Sequence, residues 1–184
     1  MTAPGGVPKR PWLTMARLWD ALALLVIAFV AWKIFIAPRA LKPAAYPAPN
    51  VAYKRLDGGT FHISDARGKV LFLDFYASWC EPCKLESPLI QRYARKHPEV
   101  RVVSVDVGEP RISAEAFAKR YNVSDVVLDP RSLSQGFFQI QGFPTIVVID
   151  PNGKIRATWS GFNPAIDLAM TNAEHSLDPL GVTR

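Results

Sequence analysis

The apolar run VLFLDFY, residues 70–76, is followed closely by the chain's two cysteines, Cys80 and Cys83. An unbroken apolar run of this length is typical of a strand that is buried on both faces of a sheet. The residues from Cys83 to His97 predict a helix, which Pro98 ends. The two cysteines are therefore expected at a corner between a central strand and a helix.

Predicted strands and helices alternate from Val51 onward. VAYKRL and TFHIS, separated by DGG, predict an N-terminal hairpin. The further predicted strands are VRVVSVDV, DVVLD, TIVVID and KIRATWS, and the further predicted helices are SAEAFAKRY, with Ser113 as its N-cap, RSLSQGFFQI and PAIDLAMTNAEHSL. This pattern predicts an α/β domain with a central sheet and helices outside it.

The segment 18–37, LWDALALLVIAFVAWKIFIA, is apolar apart from Asp20 and Lys33 near its ends. Twenty helical residues span about 30 Å, which matches the hydrocarbon layer of a membrane. We predict an uncleaved signal anchor here, after a cytoplasmic tail of residues 1–17; the alternative is a cleaved secretory signal. A proline-rich linker, residues 38–50, would lift the domain of residues 51–184 off the bilayer on the extracytoplasmic, or periplasmic, side.

The charge distribution argues against a nucleic-acid partner. The chain carries a net charge of +6, but residues 1–50 hold +5 of it and residues 51–184 only +1. The domain is therefore nearly neutral, and no basic stripe interleaved with aromatic residues is present in its sequence.

A Cys-x-x-Cys pair at the start of a helix suits thiol–disulfide chemistry. The free N–H groups and partial positive charge of a helix N-terminus stabilise a thiolate, which makes the first cysteine nucleophilic. We expect Cys80 at the exposed tip, with Cys83 about one turn later beneath it. A zinc site would need about four ligands, and one cysteine pair with three scattered histidines is a poor match, so we expect no metal.

Two stretches resemble the thioredoxin superfamily: DFYASWCEPCK is similar to its active-site corner, and GFPT, residues 142–145, to its cis-proline loop. The N-terminal hairpin, WCEPCKLESP and the helix and strand inserted before GFPT are more similar still to the membrane-anchored TlpA/ResA/CcmG branch. The resemblance covers about residues 51–178. It implies a thioredoxin-like fold, in which a central mixed sheet is flanked by helices, with the N-terminal hairpin and a central helix–strand insert.

The resemblance implies roles for the residues of the corner. Cys80 would attack and Cys83 would resolve, so that the two form the redox disulfide Cys80–Cys83. Trp79 would pack beside the pair, unless it is an ordinary core aromatic. Pro82 lacks an N–H that the first helical turn does not need, and its ring fixes a helical φ.

In the GFPT loop, the resemblance implies that Pro144 follows a cis peptide bond and faces the disulfide. The backbone of Phe143 would then be free to pair with an extended client segment, as an added β-strand.

Two carboxylates are candidates for the proton carrier. Asp74 matches the buried aspartate of thioredoxins, and Glu86 matches the active-site glutamate of the ResA-like branch. Glu86 lies three residues after Cys83, nearly one helical turn, so it can face that thiol. Burial would raise the pKa of either carboxyl toward neutrality. The sequence leaves open which of the two serves.

The resulting prediction is an anchored extracytoplasmic oxidoreductase that reduces disulfides in partner proteins and needs no cofactor. The resemblance implies apocytochrome c as the client and a membrane thiol transporter as the electron donor. Two alternatives stay open: an oxidant that installs disulfides with the same residues, and a non-enzymatic copper-handling or client-binding module. The direction of electron flow is not readable from the sequence, because a tenfold change in the exchange equilibrium is only about 30 mV.

Overall fold

The computed structural model describes residues 15–31 and 46–177. Four segments lie outside these ranges: residues 1–14 of the predicted tail, 32–37 of the predicted anchor, 38–45 of the predicted linker, and 178–184 at the C-terminus. Helix α1, Met15–Ala31, and the residues from Tyr46 onward belong to two separate compact units. Within the described ranges, no helix combines the length and the apolar character needed to cross a membrane.

One mixed sheet of eight strands forms the centre of the second unit, within residues 46–177. Its strands in chain order, β1 to β8, are Tyr46–Pro47, Ala52–Arg55, Thr60–His62, Leu71–Tyr76, Arg101–Val107, Val126–Asp129, Thr145–Ile149 and Lys154–Ser160. Their spatial order is β1-β8-β7-β4-β5-β6-β2-β3. β4, β5 and β6 are parallel neighbours, and every other pairing is antiparallel.

The helices of this unit connect the strands. They are α2, Glu81–Lys96, α3, Arg111–Tyr121, α4, Leu133–Phe138, and α5, Ile166–Leu177, and a short 3-10 turn covers Ile63–Ala66. The predicted hairpin is present as β2 and β3, and the insert between β5 and the GFPT loop consists of α3, β6 and α4. The mixed sheet with helices on both sides is the thioredoxin-like α/β fold that the resemblance implied.

The central strand β4 is buried on both faces, as its unbroken apolar sequence predicts. Leu73 and Phe75 pack into a core with Phe138 of α4. Phe72 points the opposite way, into a core formed with α2 and α5, where its ring lies 5.8 Å edge-on from that of Tyr93. This double burial fixes the end of β4 and with it the corner from which α2 starts.

Three local predictions need correction. α2 begins at Glu81 rather than Cys83, so that Cys80 is its N-cap. Ser113 is not the N-cap of α3, because the helix begins at Arg111 after an extended Pro110. The residue at that boundary needs no N–H to donate, which suits a proline. In addition, the predicted linker contains strand β1, which pairs with β8 at the edge of the sheet.

Candidate active site

The two cysteines lie at the junction between the end of β4 and the start of α2. Their sulfurs are joined in a disulfide, with the Cα atoms 5.3 Å apart. The Sγ of Cys80 accepts a hydrogen bond from the backbone N–H of Cys83 at 3.2 Å. The first turn of α2 therefore directs an N–H group and the positive end of its dipole at this sulfur, the arrangement that stabilises a thiolate once the disulfide is reduced.

The expectation that Cys80 forms an exposed tip is wrong. Only 4% of Cys80 and 1% of Cys83 are solvent-exposed. Both pack in a cluster with Tyr76 and Phe117. Trp79, next to Cys80, is 67% exposed and is thus not a core aromatic.

The GFPT loop lies against the same cluster. The Phe143–Pro144 peptide bond is cis, and the carbonyl of Pro144 accepts a hydrogen bond from the N–H of Gly161 at 2.8 Å. Phe143 packs against the cluster that holds both cysteines, and its ring meets that of Trp79 edge-on at 6.0 Å. Within residues 15–31 and 46–177, no hydrogen bond engages the backbone of Phe143. Its N–H and carbonyl are therefore available to an incoming strand.

Asp74 lies in the middle of β4 and is 2% exposed. The hydroxyl of Ser104, its neighbour in register on β5, donates to Asp74 Oδ2 at 3.2 Å. Burial raises the pKa of Asp74 to about 7, and the Ser104 hydrogen bond offsets only part of that effect. Asp74 can therefore hold or release a proton near neutral pH.

Glu86 is as deeply buried as Asp74, on the inner face of α2. Its Oε1 accepts a hydrogen bond from the backbone N–H of Asn163 at 3.1 Å. Asn163 follows Gly161, whose N–H is bonded to Pro144. The Glu86 carboxylate thus connects the cysteine-bearing helix to the segment that supports the cis-proline.

Pro82 occupies the second position of α2, as its fixed φ and missing N–H favour. Close to it, a groove of about 530 Å³ runs between α2 and α3. The groove is lined on the α2 side by Ser78, Glu81 and Lys84, and on the α3 side by Arg120 and Tyr121. The groove therefore carries both acidic and basic side chains and opens beside Cys80.

Sequence reasoning missed two acidic residues beside the corner. Glu109 accepts hydrogen bonds from both the N–H and the hydroxyl of Ser78, two residues before Cys80. Asp106 is fully buried, and its pKa is raised to about 7 by burial and, next, by the negative charge of Glu109. A signal was present: parallel β4 and β5 end at one edge of the sheet, so the loops after them must meet.

Comparison with known proteins decides the family. The model of the AhpC/TSA family matches residues 44–158. The chain belongs to the AhpC/TSA family. Its thioredoxin-like fold agrees with this assignment.

Relatives of this AhpC/TSA-family chain include a thiol-disulfide oxidoreductase ResA from Bacillus subtilis, which is 34% identical over 73% of this chain and 78% of that protein. A second ResA, from Geobacillus thermodenitrificans, is 28% identical over 83% and 90%. A solved structure from Chlorobium tepidum, provisionally assigned as thiol:disulfide interchange protein DsbE, superimposes with a TM-score of 0.67 at 28% identity and covers 78% of this chain and 99% of that one. The chain is thus a thiol–disulfide oxidoreductase of the ResA/DsbE type.

The raised pKa of Asp74 predicts a specific dependence of stability on pH. In the unfolded chain this carboxyl loses its proton near pH 4, whereas in the folded, oxidised chain it keeps the proton until about pH 7. Between these values the folded state binds more protons, so the free energy of unfolding falls as pH rises. In Asp74→Asn the free energy of unfolding should therefore fall less steeply with pH, by up to about 1.4 kcal/mol per pH unit.

The measurement is urea unfolding of the oxidised chain between pH 4 and pH 8. Asp57→Asn is the matched control, because Asp57 is exposed and Arg55 lowers its pKa, so that it stays ionised across the window. Equal slopes in Asp74→Asn and wild type would contradict the assignment of a raised pKa to Asp74.

Proposed function

We propose that this AhpC/TSA-family chain is a membrane-anchored, extracytoplasmic reductant of disulfides in client proteins. One observation carries the proposal. The Cys80–Cys83 pair at the N-terminus of α2 lies against the cis-proline loop, in which the backbone N–H and carbonyl of Phe143 are free to bond a partner. This arrangement places a pair of redox-active cysteines beside backbone groups that can bind an extended polypeptide. The relatives named thiol-disulfide oxidoreductase support the same activity.

The reaction is an exchange between two cysteines of the chain and one disulfide of the client. The Cys80 thiolate attacks one client sulfur, and the other client sulfur leaves as a thiolate that takes up a proton. The Cys83 thiol then loses its proton and attacks Cys80, which releases the second client thiol. The client gains two electrons and two protons, and the chain is left with the Cys80–Cys83 disulfide.

Client binding would use the surface around the corner. An extended client segment would pair with the N–H and carbonyl of Phe143 and so approach the disulfide as an added strand. The exposed ring of Trp79, set edge-on against Phe143, would supply apolar contact area beside it. Because Cys80 is buried, the client would have to engage these groups closely before its disulfide could reach the sulfur.

We propose that Asp74 accepts the proton that Cys83 loses, and that Glu86 has a positioning role. A general acid–base is most effective when its pKa lies near the working pH, which the value of about 7 at Asp74 satisfies. Glu86 instead holds Asn163, and through that segment the loop of Pro144. Glu86 would therefore keep the cis-proline loop in register with the cysteine-bearing helix.

The resemblance to the ResA-type branch supports apocytochrome c as the client and a membrane thiol transporter as the electron donor. The exchange itself requires only thiols and disulfides, so no cofactor enters the proposal. The donor would return two electrons to the Cys80–Cys83 disulfide by the same exchange run from its own dithiol.

The anchor would be the apolar segment 18–37, with the N-terminal tail in the cytoplasm and the domain in the periplasm. Its composition supports this proposal: α1 exposes apolar side chains along its length, among them Leu24, Leu25 and Ile27. The full chain should stay in the membrane fraction after an alkaline carbonate wash, since a spanning helix resists extraction. Recovery of the full-length chain in the supernatant would contradict anchoring.

The order of attack can be tested by trapping. Cys83→Ser should accumulate a mixed disulfide between Cys80 and a disulfide-bonded peptide containing the two cysteines of a c-type haem attachment site, because no resolving thiol remains. Cys80→Ser should form none. The adduct is quantified by mass spectrometry after acid quenching, and an adduct confined to Cys80→Ser would reverse the assigned roles.

The same disulfide-bonded peptide, given to chains that keep both cysteines, separates the two carboxylates. Asp74→Asn should slow release of the reduced peptide at pH 7 by about 100-fold, the usual scale of general acid–base catalysis. Glu86→Gln should slow the release step much less and instead weaken peptide binding, because the Pro144 loop loses its support. If Glu86→Gln slows release and Asp74→Asn does not, Glu86 is the proton carrier.

A further inference from the structure

A second cluster of reactive side chains lies at the opposite end of α2 from the cysteines. His97, the C-cap of α2, places its Nδ1 3.1 Å from Oε1 of Glu99 and 3.0 Å from Oε2 of Glu174. Glu99 belongs to the loop before β5, and Glu174 to the last turns of α5. Two segments, the connection from α2 to β5 and the helix α5, therefore converge on one point, and the three atoms lie within 4.8 Å of one another.

The two spacings from Nδ1 of His97 match the edges of a metal coordination shell. Ligand nitrogen and oxygen atoms lie about 2.0–2.2 Å from zinc, so two ligands at right angles are about 3.0 Å apart, and tetrahedral ones about 3.4 Å. Both distances from the His97 nitrogen fall close to these values. Two carboxylates and one imidazole on one side of an ion would leave its remaining positions for water.

The cluster also has the outer support that ligands of a metal need. The hydroxyl of Tyr93 donates to Glu174 Oε2 at 2.6 Å, and the Tyr93 ring stacks on His97 at 4.2 Å. One buried side chain thus orients both Glu174 and His97, and residues that orient metal ligands in this way are common behind metal sites.

We propose that His97, Glu99 and Glu174 bind a divalent transition-metal ion, with Zn²⁺ as the best match. Imidazole and carboxylate ligands together suit zinc, whereas Mg²⁺ and Ca²⁺ take oxygen ligands almost exclusively. Two carboxylates side by side repel each other, and a divalent ion offsets that repulsion. The ammonium of Lys69 donates to the carbonyl of Pro98 rather than to either carboxylate.

This site is separate from the proposed redox chemistry. His97 lies 17 residues after Cys80 on one helix, which places it about 25 Å from the disulfide. A bound ion would instead cross-link the end of α2 to α5 and to the loop before β5. The ion would therefore stabilise the packing that holds the cysteine-bearing helix, without exchanging electrons.

The first experiment is a calorimetric titration of the full, oxidised chain with Zn²⁺ alone. The disulfide keeps both sulfurs out of reach of the ion, so binding cannot arise from thiolates. We expect one ion per chain, a higher melting temperature with Zn²⁺ and no such effect of Mg²⁺ at the same concentration. Absence of saturable Zn²⁺ binding would overturn the proposal and leave His97 as a hydrogen-bonded partner of the two glutamates.

Variants locate the ion. His97→Gln and Glu174→Gln should each weaken Zn²⁺ binding by at least tenfold, and Tyr93→Phe, which keeps the ring stacked, by about 10–100-fold. His175→Gln is the matched control, since His175 is the exposed neighbour of Glu174 on α5 and should leave binding unchanged. Unaltered binding in Tyr93→Phe and Glu174→Gln, or an equal loss in His175→Gln, would place the ion elsewhere and refute the site.

Discussion

The active site depends on the N-terminus of α2 being aimed at the sulfur of Cys80. The N–H of Cys83 already bonds that sulfur in the disulfide, and the helix dipole would stabilise the thiolate formed on reduction. This geometry lasts only if the strand before the corner cannot move. The burial of β4 on both faces supplies that rigidity, since any shift would disturb two packed cores at once.

Around this fixed corner, buried carboxyl groups set the local electrostatics. Glu109 accepts two hydrogen bonds from Ser78 and so holds the loop that leads into Cys80. Asp74 and Asp106 lie on neighbouring strands, and burial raises the pKa of each to about 7. The interior near the disulfide thus contains groups that gain or lose protons in the pH range where thiol exchange occurs. Such perturbed groups are typical of functional sites.

The sequence predicted most of the fold because its signals were local. The unbroken apolar run of β4, the glycine-containing hairpin turns and the proline after α2 each mark an element through nearby residues alone. Its errors arose where packing decides. Cys80 was expected at an exposed tip because it starts the helix, yet it packs with Cys83 in a cluster that includes Tyr76 and Phe117. Ser113 has the side chain of an N-cap, but the chain after Pro110 is already helical.

Contacts between segments that are far apart in the chain could not be predicted from residue spacing in the sequence. Nothing in the sequence joins Glu86 to Asn163, which are 77 residues apart, or His97 to Glu174. Only the packing of α2 against its neighbours brings these pairs together. The meeting of Ser78 with Glu109 was more accessible, because the ends of adjacent parallel strands always share one edge of the sheet.

The direction of electron flow is the central claim, and the reduction potential of the Cys80–Cys83 couple tests it most directly. The full chain is equilibrated in thiol buffers of defined potential, and the reduced fraction is counted after alkylation. A value at or below about −230 mV is the result expected of a reductant that a donor keeps reduced. A value near about −120 mV would mark an oxidant that installs disulfides and would contradict the account.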